Sequence, residues 1–297
     1  MDDTNSIMQE EITPLYHYTS VEGLYGIFKN YSETNPFVTM RATDISFLND
    51  SSEFLFGVEV CKEVLNMYED NHKIDYDNGG ISWIVNSYVH SPKKNSKLFN
   101  FKQDICVISL SKTRSSAAMW SMYASQGKGV SIIFNSEILR SIKGVYLKPC
   151  FYAKDSFDFL NKYEREYEQF YNNSKSISMS GVPEEYTDGQ KRYINDFGSC
   201  EYLFSNLVSI IKNSAYDYEQ EYRMDITNMK PYLFRASKGL IIPYKEIMIP
   251  IEAIEGILIG PVADYSLIKL SIQKYFNSLG LERLTDKVFE SNVPYRG

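Results

Sequence analysis

Strand-length apolar segments and longer amphipathic segments follow one another irregularly along this chain. Residues 104–111, DICVISLS, are almost continuously apolar, which is typical of a strand inside a sheet. Residues 50–69 instead carry apolar side chains at helical spacing. Because strands and helices do not alternate regularly, a wound parallel sheet is not predicted, and the sequence indicates the α+β class.

Local signals place the other elements. An apolar stripe over residues 21–28 predicts a first helix, with Thr19 and Glu22 at capping-box spacing. Asn49 and Asp50 supply a turn and a cap for the second helix. Further predicted elements are strands at 15–20, 127–135, 144–153 and 255–261, extended segments at 37–48, and helices at 115–125, 200–213 and 264–279.

Composition excludes several classes of protein. The 297 residues, 43% of them hydrophobic, suffice for one large domain or two small ones. A net charge of -7 disfavours general coating of nucleic acid. The four cysteines form no C-x-x-C pair, which favours a reduced, cytoplasmic protein without a zinc site or disulfide framework. The acidic first residues do not resemble a signal peptide, and no apolar run approaches the roughly 20 residues of a membrane span.

The sequence also lacks the common catalytic motifs. Neither G-x-x-x-x-G-K-[ST] nor G-x-G-x-x-G occurs, and H-E-x-x-H and G-x-S-x-G are absent too. P-loop enzymes, zincins and the common serine hydrolases are therefore disfavoured. Of three histidines, His72 and His90 lie in polar stretches, and His17 lies on a predicted apolar strand. His17 is either a buried core histidine or a functional residue.

Residues 216–226 read YDYEQEYRMDI, in which charged and apolar side chains alternate. With a period of two, Tyr222 and Met224 fall on one face of a strand, and Glu219, Glu221 and Arg223 fall on the other. The sequence predicts one strand with an apolar face and an ionic face. Two interpretations remain open: the ionic face is in water, or it lines a cleft.

Five segments occur in an order that is similar to a known family. They are LYHYTSVEGL (15–24), FLNDSSEF (47–54), ISLSKTRSSAAMWSMYASQGKGVSIIF (108–134), YEQEYRM (218–224) and IEGILIGP (254–261). Together they resemble the bacterial domain-of-unknown-function family 2971, over most of the chain from about Leu15 onward. That family is grouped by fold with the ADP-ribosyltransferases, and its members look like parts of phage-defence or toxin-like gene sets.

The resemblance implies an ADP-ribosyltransferase-like fold, with a split mixed or antiparallel sheet and flanking helices, and NAD as the substrate. Such enzymes break the bond between nicotinamide and ribose through an oxocarbenium-like transition state, which a carboxylate stabilises. The resemblance assigns Glu221 as that carboxylate, Glu219 as the residue facing the acceptor, and His17 as the ribose contact on the first strand. The other implied NAD contacts are Tyr18, Thr19, Asn49, Trp120, Tyr123 and Arg223.

Structural roles compete with several of these assignments. Thr19 is favoured as a helix cap over a ligand. Trp120 and Tyr123 have the i, i+3 spacing that is usual for core aromatics. Arg223 is either a bidentate phosphate ligand or the ion-pair partner of Glu221.

We therefore expect a tail at residues 1–13 and one ADP-ribosyltransferase-like domain at 14–297, with a variable helical elaboration at about 153–200. The expected function is NAD-dependent ADP-ribosylation of an unknown protein or nucleic-acid target by a bacterial intracellular effector. A partner protein from a defence system is compatible with the resemblance, whereas a membrane or a metal ion is not expected. The alternatives are an NAD glycohydrolase on the same fold and a non-catalytic nucleotide-sensing module.

Overall fold

The computed structural model describes residues 14–48, 51–73, 105–177, 207–226, 231–237 and 239–294. The predictions made for the tail at 1–13, for Asn49 and Asp50, for His90, and for residues 178–206 lie outside the described residues.

Strands and helices follow one another in irregular order within these ranges. The strands are β1 (Pro14–Thr19), β2 (Phe37–Asp44), β3 (Cys106–Ser111), β4 (Val130–Asn135), β5 (Val145–Pro149), β6 (Phe151–Ala153), β7 (Ile211–Asn213), β8 (Glu221–Ile226), β9 (Leu233–Ser237), β10 (Leu240–Pro250), β11 (Ile254–Ile259) and β12 (Val288–Glu290). The α-helices are α1 (Val21–Phe28), α2 (Ser51–Asn71), α3 (Ala117–Tyr123), α4 (Ser136–Ser141), α5 (Ser156–Ile177), α6 (Tyr265–Ser278) and α7 (Glu282–Thr285). Short 3₁₀ helices occupy Ile45–Phe47, Ser214–Glu219 and Ile251–Ala253.

One mostly antiparallel sheet organises the molecule. Its strand order is β12-β11-β4-β1-β3-β2-β10-β9, and β8 pairs with both β3 and β5. Among the described strands of this sheet, the β11–β12 pair is the parallel one, and β6 and β7 form a separate parallel pair. The α+β class predicted from the sequence is confirmed.

The sheet divides at β3. One edge of β3 pairs with β8 along its whole length, from Cys106 opposite Ile226 to Ser111 opposite Glu221. The other edge pairs with β1 at Ser111 and with β2 at the opposite end, residues 106–107. β1 and β2 therefore diverge from the two ends of β3, and residues 108–110 lie between them.

Two hydrophobic cores support this arrangement. The larger core lies between the sheet and the helices α1, α6 and α7, and includes Phe28, Phe134 and Phe276. The second core lies between α2 and α5 and includes Leu65 and Tyr167, with β6 and β7 packed against it. α2 extends from this second core toward the divided sheet, so that Glu53 near its start lies close to β7 and β8.

Most helices and strands predicted from apolar spacing are confirmed, but several local predictions fail. Thr19 does not cap α1. It ends β1, and the hydroxyl of Ser20 accepts the N–H of Gly23 at 3.0 Å instead. The predicted helix at 200–213 is wrong at its end, because residues 211–213 form β7. The hairpin of β9 and β10 was not predicted.

The segment 216–226 is not one strand, as predicted. Residues 214–219 form a 3₁₀ helix, and Gln220 takes a left-handed conformation with φ 41° and ψ 51° before β8 begins at Glu221. Likewise, the strand predicted at 144–153 is divided at Cys150 into β5 and β6. The break at Cys150 takes the chain from the main sheet to the smaller one, and the break before β8 takes it back to the main sheet.

Three cysteines, Cys61, Cys106 and Cys150, are buried free thiols, and Cys200 lies outside the described residues. Within the described ranges, none of the helices combines the length and apolarity needed to cross a bilayer.

Candidate functional site

A cavity of about 620 Å³ opens where β1 and β2 diverge from β3. Its walls come from β1, β2 and residues 107–110 of β3, together with α1, α3 and the segment from β7 to β8. A volume of this size is within the range of small-molecule binding sites. Most of the residues proposed from the sequence lie here: His17, Tyr18, Thr19, Tyr123, Glu219, Glu221 and Arg223.

His17 occupies the gap in the divided sheet. Its Nδ1 lies 3.0 Å from the carbonyl oxygen of Ser109, in the middle of β3. Because a carbonyl can only accept a hydrogen bond, Nδ1 carries the proton, and the neutral ring keeps Nε2 as an acceptor. Burial lowers the pKa of His17, although the bond to Ser109 opposes this. His17 thus satisfies a β3 carbonyl and presents a neutral ring to the cavity.

The aromatic candidates divide between cavity and core. Tyr18 and Tyr123 line the cavity. Trp120 is completely buried, with its ring edge-on to Tyr18 at 4.9 Å between centroids, and it is not among the lining residues. Its position supports Tyr18 from behind. Asn49 lies outside the described residues.

Three carboxylates converge on one lysine at the acidic end of the cavity. The Nζ of Lys212, on β7, donates a very short hydrogen bond to Glu219 and a 2.6 Å bond to Glu221. It also lies 3.5 Å from Glu53 of α2. The side chain of Lys212 is only 3% exposed, so water screens these charges little.

Arg223 is the second cation of the network, and it lies two residues after Glu221 on β8. Its Nε donates to Glu221 Oε1 at 2.9 Å, its Nη1 donates to the Ser209 carbonyl at 2.8 Å, and its Nη2 donates to Glu53. Each of its three nitrogens thus bonds a protein oxygen. The residue acts as the ion-pair partner of Glu221, which was one of the two roles considered from the sequence.

The cationic partners keep Glu221 charged. Burial by itself would raise the pKa of Glu221, but Arg223 and Lys212 outweigh burial and lower the pKa to about 2. Burial and the charge of Arg223 would lower the pKa of Lys212, but Glu221, Glu53 and Glu219 outweigh them and raise it. The network therefore contains three carboxyl groups and two basic groups, with one net negative charge when all five are ionised.

Two tyrosine hydroxyls contact Glu219 and Glu221, one at a carboxylate and one at the backbone. The hydroxyl of Tyr123 donates to Glu219 Oε1 at 2.7 Å, and burial followed by the charge of Glu219 raises the pKa of that tyrosine. The hydroxyl of Tyr152 accepts the backbone N–H of Glu221 at 2.7 Å. Tyr123 therefore stays protonated and acts as a donor at the cavity wall.

The ionic face of β8 is buried. Glu221, Arg223 and Asp225 are each 5% exposed or less, which excludes the interpretation that this face is in water. Asp225 belongs to a separate group, where it accepts from Ser209 at 3.0 Å and from Lys148 at 3.3 Å. Burial raises the pKa of Asp225 despite these partners.

Two members of the network were missed as functional residues. Glu53 was not among the residues assigned to the site, and Lys212 was placed in a predicted helix. One sequence signal pointed to Lys212, which directly follows the apolar run LVSII at 207–211. A lysine at the end of such a run is expected to be buried, and a buried lysine needs an acidic partner. Its three partners, at positions 53, 219 and 221, could not be deduced from spacing.

Comparison with curated proteins and with solved structures gave no match. The family model described as "Protein of unknown function (DUF2971)" matches residues 119–224, a region that contains Tyr123, Lys212, Glu219, Glu221 and Arg223. Over these residues the match supports the family that the resemblance named, domain-of-unknown-function family 2971.

Proposed function

We propose that this protein is an NAD-dependent ADP-ribosyltransferase with an ADP-ribosyltransferase-like split sheet, acting as a bacterial intracellular effector. One observation supports the proposal most strongly. Residues chosen for this chemistry from distant parts of the sequence, His17, Tyr123, Glu219 and Glu221, line the same cavity. Its volume of about 620 Å³ suits a nucleotide-sized ligand.

In the proposed reaction, the bond between ribose C1′ and the nicotinamide nitrogen breaks, and nicotinamide leaves with the electron pair. Positive charge then develops on the ribose, where a fixed anion stabilises it more than it stabilises the ground state. Glu221 is suited to this role because its lowered pKa keeps it ionised, and Lys212 and Arg223 hold it in place. An acceptor oxygen or nitrogen completes the reaction by attacking C1′.

The cavity wall offers matching contacts for the rest of the substrate. The unprotonated Nε2 of His17 can accept a hydrogen bond from a ribose hydroxyl, since Nδ1 is committed to Ser109. The rings of Tyr18 and Tyr123 offer apolar surface for a nicotinamide ring. These roles are part of the proposal.

Release of nicotinamide from NAD tests the proposal, with the purified protein assayed alone and with bacterial lysate. Glu221→Gln keeps the shape of the side chain and removes its charge, so we expect turnover to fall about 100-fold or more. Glu252→Gln is the matched control, because Glu252 is exposed and is not among the cavity-lining residues. Full activity in Glu221→Gln, with the control also active, would contradict the assignment.

The burial of Glu219 favours a second candidate, hydrolysis of NAD by water. A residue that orients a macromolecular acceptor has to be reachable, yet Glu219 is 3% exposed and is held by Tyr123 and Lys212. A water molecule or a small acceptor inside the cavity meets this constraint more easily. Glu219→Ala that abolishes transfer but spares hydrolysis would assign it to the acceptor, whereas equal loss of both activities would argue against that division.

A non-catalytic nucleotide sensor would use the same cavity without chemistry. Thermal stabilisation by NAD without nicotinamide release, in both the original protein and Glu221→Gln, is the result that would identify such a sensor. Because ligand binding to the folded state raises its stability by mass action, the shift is measurable even when turnover is zero.

A further inference from the structure

We propose that Arg41 and Arg235 form a phosphate-binding subsite on the cavity wall. Whereas the Glu221 network is acidic, the subsite is positively charged. Its ligand class is a small molecule that carries a phosphate or pyrophosphate group. Assignment of that group to the pyrophosphate of NAD rests on the proposed function, whereas anion binding by the two arginines does not.

The sheet register brings these side chains to one face. Arg41 and Thr43 of β2, and Arg235 of β9, pair directly with alternate positions of β10 between residues 242 and 246. Directly paired residues of neighbouring strands point to the same side of a sheet, as do alternate residues of one strand. All three side chains line the cavity, so this is the cavity face.

Arg235 has donor capacity that the protein does not use. Its Nη2 donates to Thr43 Oγ1 at 3.2 Å. Its Nε is buried and has no hydrogen-bond partner among the described residues. A buried N–H without an acceptor costs free energy, so such a donor at a cavity wall points to a ligand that accepts the bond.

Arg41 is held beside it but is weakly neutralised. Its guanidinium lies over the ring of Tyr244, 5.0 Å from the centroid. Its ion pair with Glu246 is long, with 3.8 Å between Nε and the carboxylate oxygen, and both side chains are well exposed. Exposed pairs of this kind contribute little. Among the described residues, Arg41 therefore has no strong acceptor, and its guanidinium is available to a ligand.

The charges support the same conclusion. Burial and the positive charge of Arg41 lower the pKa of Arg235, which means that the two cations repel each other without a shared anion. A bound phosphate would supply that anion and would accept several charge-assisted hydrogen bonds from the two planar guanidinium groups. Arg223 is less suitable for this role, since its nitrogens already bond Glu53, Glu221 and Ser209.

The two groups on the cavity wall are thus complementary to different parts of one ligand. The Glu221 network suits a sugar that acquires positive charge, and the two arginines suit the phosphates. A dinucleotide that carries both features would be oriented by these contacts, because exchanging its sugar and its phosphates would place phosphate beside carboxylates. The subsite would thereby fix which end of the ligand reaches Glu221.

Isothermal titration calorimetry with inorganic pyrophosphate tests the subsite directly. We expect pyrophosphate to bind the original protein at millimolar concentration or below, and Arg235→Met and Arg41→Met to weaken binding about 10-fold each. Arg165→Met is the matched control, because Arg165 is exposed on α5 and does not line the cavity. Circular dichroism melting of each variant shows whether it is folded.

Absence of pyrophosphate binding to the original protein, or equal binding by all three variants, would overturn the subsite. Its failure is distinguishable from failure of the proposed function. If pyrophosphate binding depends on both arginines but NAD releases no nicotinamide, the subsite stands and the enzymatic proposal falls. If nicotinamide is released and the arginine variants bind pyrophosphate and NAD normally, the reverse holds.

Discussion

Replacing Lys212 by Met should destabilise the fold more than any exposed charge substitution. Lys212 is 3% exposed and contacts three carboxylates, with Glu221 at 2.6 Å and Glu53 at 3.5 Å. Methionine has a similar length and is tolerated in apolar gaps, so the change removes the charge with little loss of packing. The carboxylates then remain buried with only Arg223 to compensate them.

The magnitude follows from the cost of leaving buried charge unpaired. Removing one partner of a buried ion pair typically costs about 3–5 kcal/mol, because the remaining charge keeps its desolvation penalty. For a chain of this size, each kcal/mol lowers Tm by about 2–4 °C, so a loss on the order of 10 °C is expected. The loss should shrink when Glu219→Gln is added, since that removes one of the uncompensated charges.

The loss of unfolding free energy in Lys212→Met should also become smaller as the pH is lowered. In the original protein Glu221 has its pKa lowered from 4.5 to about 2, so its contribution to stability is complete above about pH 4.5 and disappears as the pH falls toward 2. Without Lys212, Glu221 loses one of the two cations that lower its pKa, so it takes up a proton at higher pH. The difference in unfolding free energy between the variant and the original protein should therefore narrow as the pH is lowered below 4.5.

Urea unfolding followed by circular dichroism, repeated across this pH range, measures both effects. Lys162→Met is the control, because Lys162 pairs with Asp158 in an exposed i, i+4 arrangement, and we expect no measurable change in Tm. A loss for Lys212→Met below about 1 kcal/mol would refute the reasoning. A large loss that stayed constant from neutral to acid pH would also do so, because it would indicate lost packing instead of unpaired charge.

Two further predictions concern His17 and a pair of glycines. Burial lowers the pKa of His17 below 6.5, so on acidification His17 is protonated in the unfolded chain at a higher pH than in the folded protein. The free energy of unfolding should therefore fall as the pH drops below 6.5. In His17→Asn, urea unfolding should show a flatter pH dependence in this range. Gly260→Ala should cost about 1–3 kcal/mol or more, because a Cβ would lie 2.2 Å from the carbonyl oxygen of Gly127. A Cβ at Gly26, in α1, would meet none of the described atoms within 4 Å, so Gly26→Ala should stabilise the protein by up to about 1 kcal/mol. Thermal melting that found Gly26→Ala less stable than Gly260→Ala would contradict this.

The confirmed sequence predictions rest on periodicity. α1, α2 and α6 have apolar side chains at helical spacing, and β3 and β4 are short apolar runs, so the pattern alone identifies them. The α+β class was predicted from the irregular order of these elements. The strand order could not be predicted, because the divided sheet pairs β8 with β3 across more than one hundred residues of sequence, and no local signal encodes such a partner.

The failures have local physical causes. Residues 216–226 alternate in polarity, but Asn213 caps a 3₁₀ helix by accepting the N–H of Ala215 at 2.9 Å, and this competes with the strand. Gln220 then ends that helix in a left-handed conformation, which a residue other than glycine adopts at a cost of about 1–3 kcal/mol. Glu219 and Glu221 consequently reach Lys212 from two different elements, and not as neighbours on one strand face.

The divided sheet and the charge network depend on each other. Where β1 and β2 separate, the Ser109 carbonyl on the open edge of β3 is satisfied by His17. The opposite edge of β3 carries β8, whose residues Glu221 and Arg223 lie beside Ser111 and Ser109 in the register. A gap in one edge of β3 therefore places the ionic face of β8 at the floor of a cavity, at a depth where water screens charge poorly. In that position a carboxylate held by two cations keeps a fixed orientation and a low pKa, and both properties are needed to stabilise a developing positive charge without reorganisation.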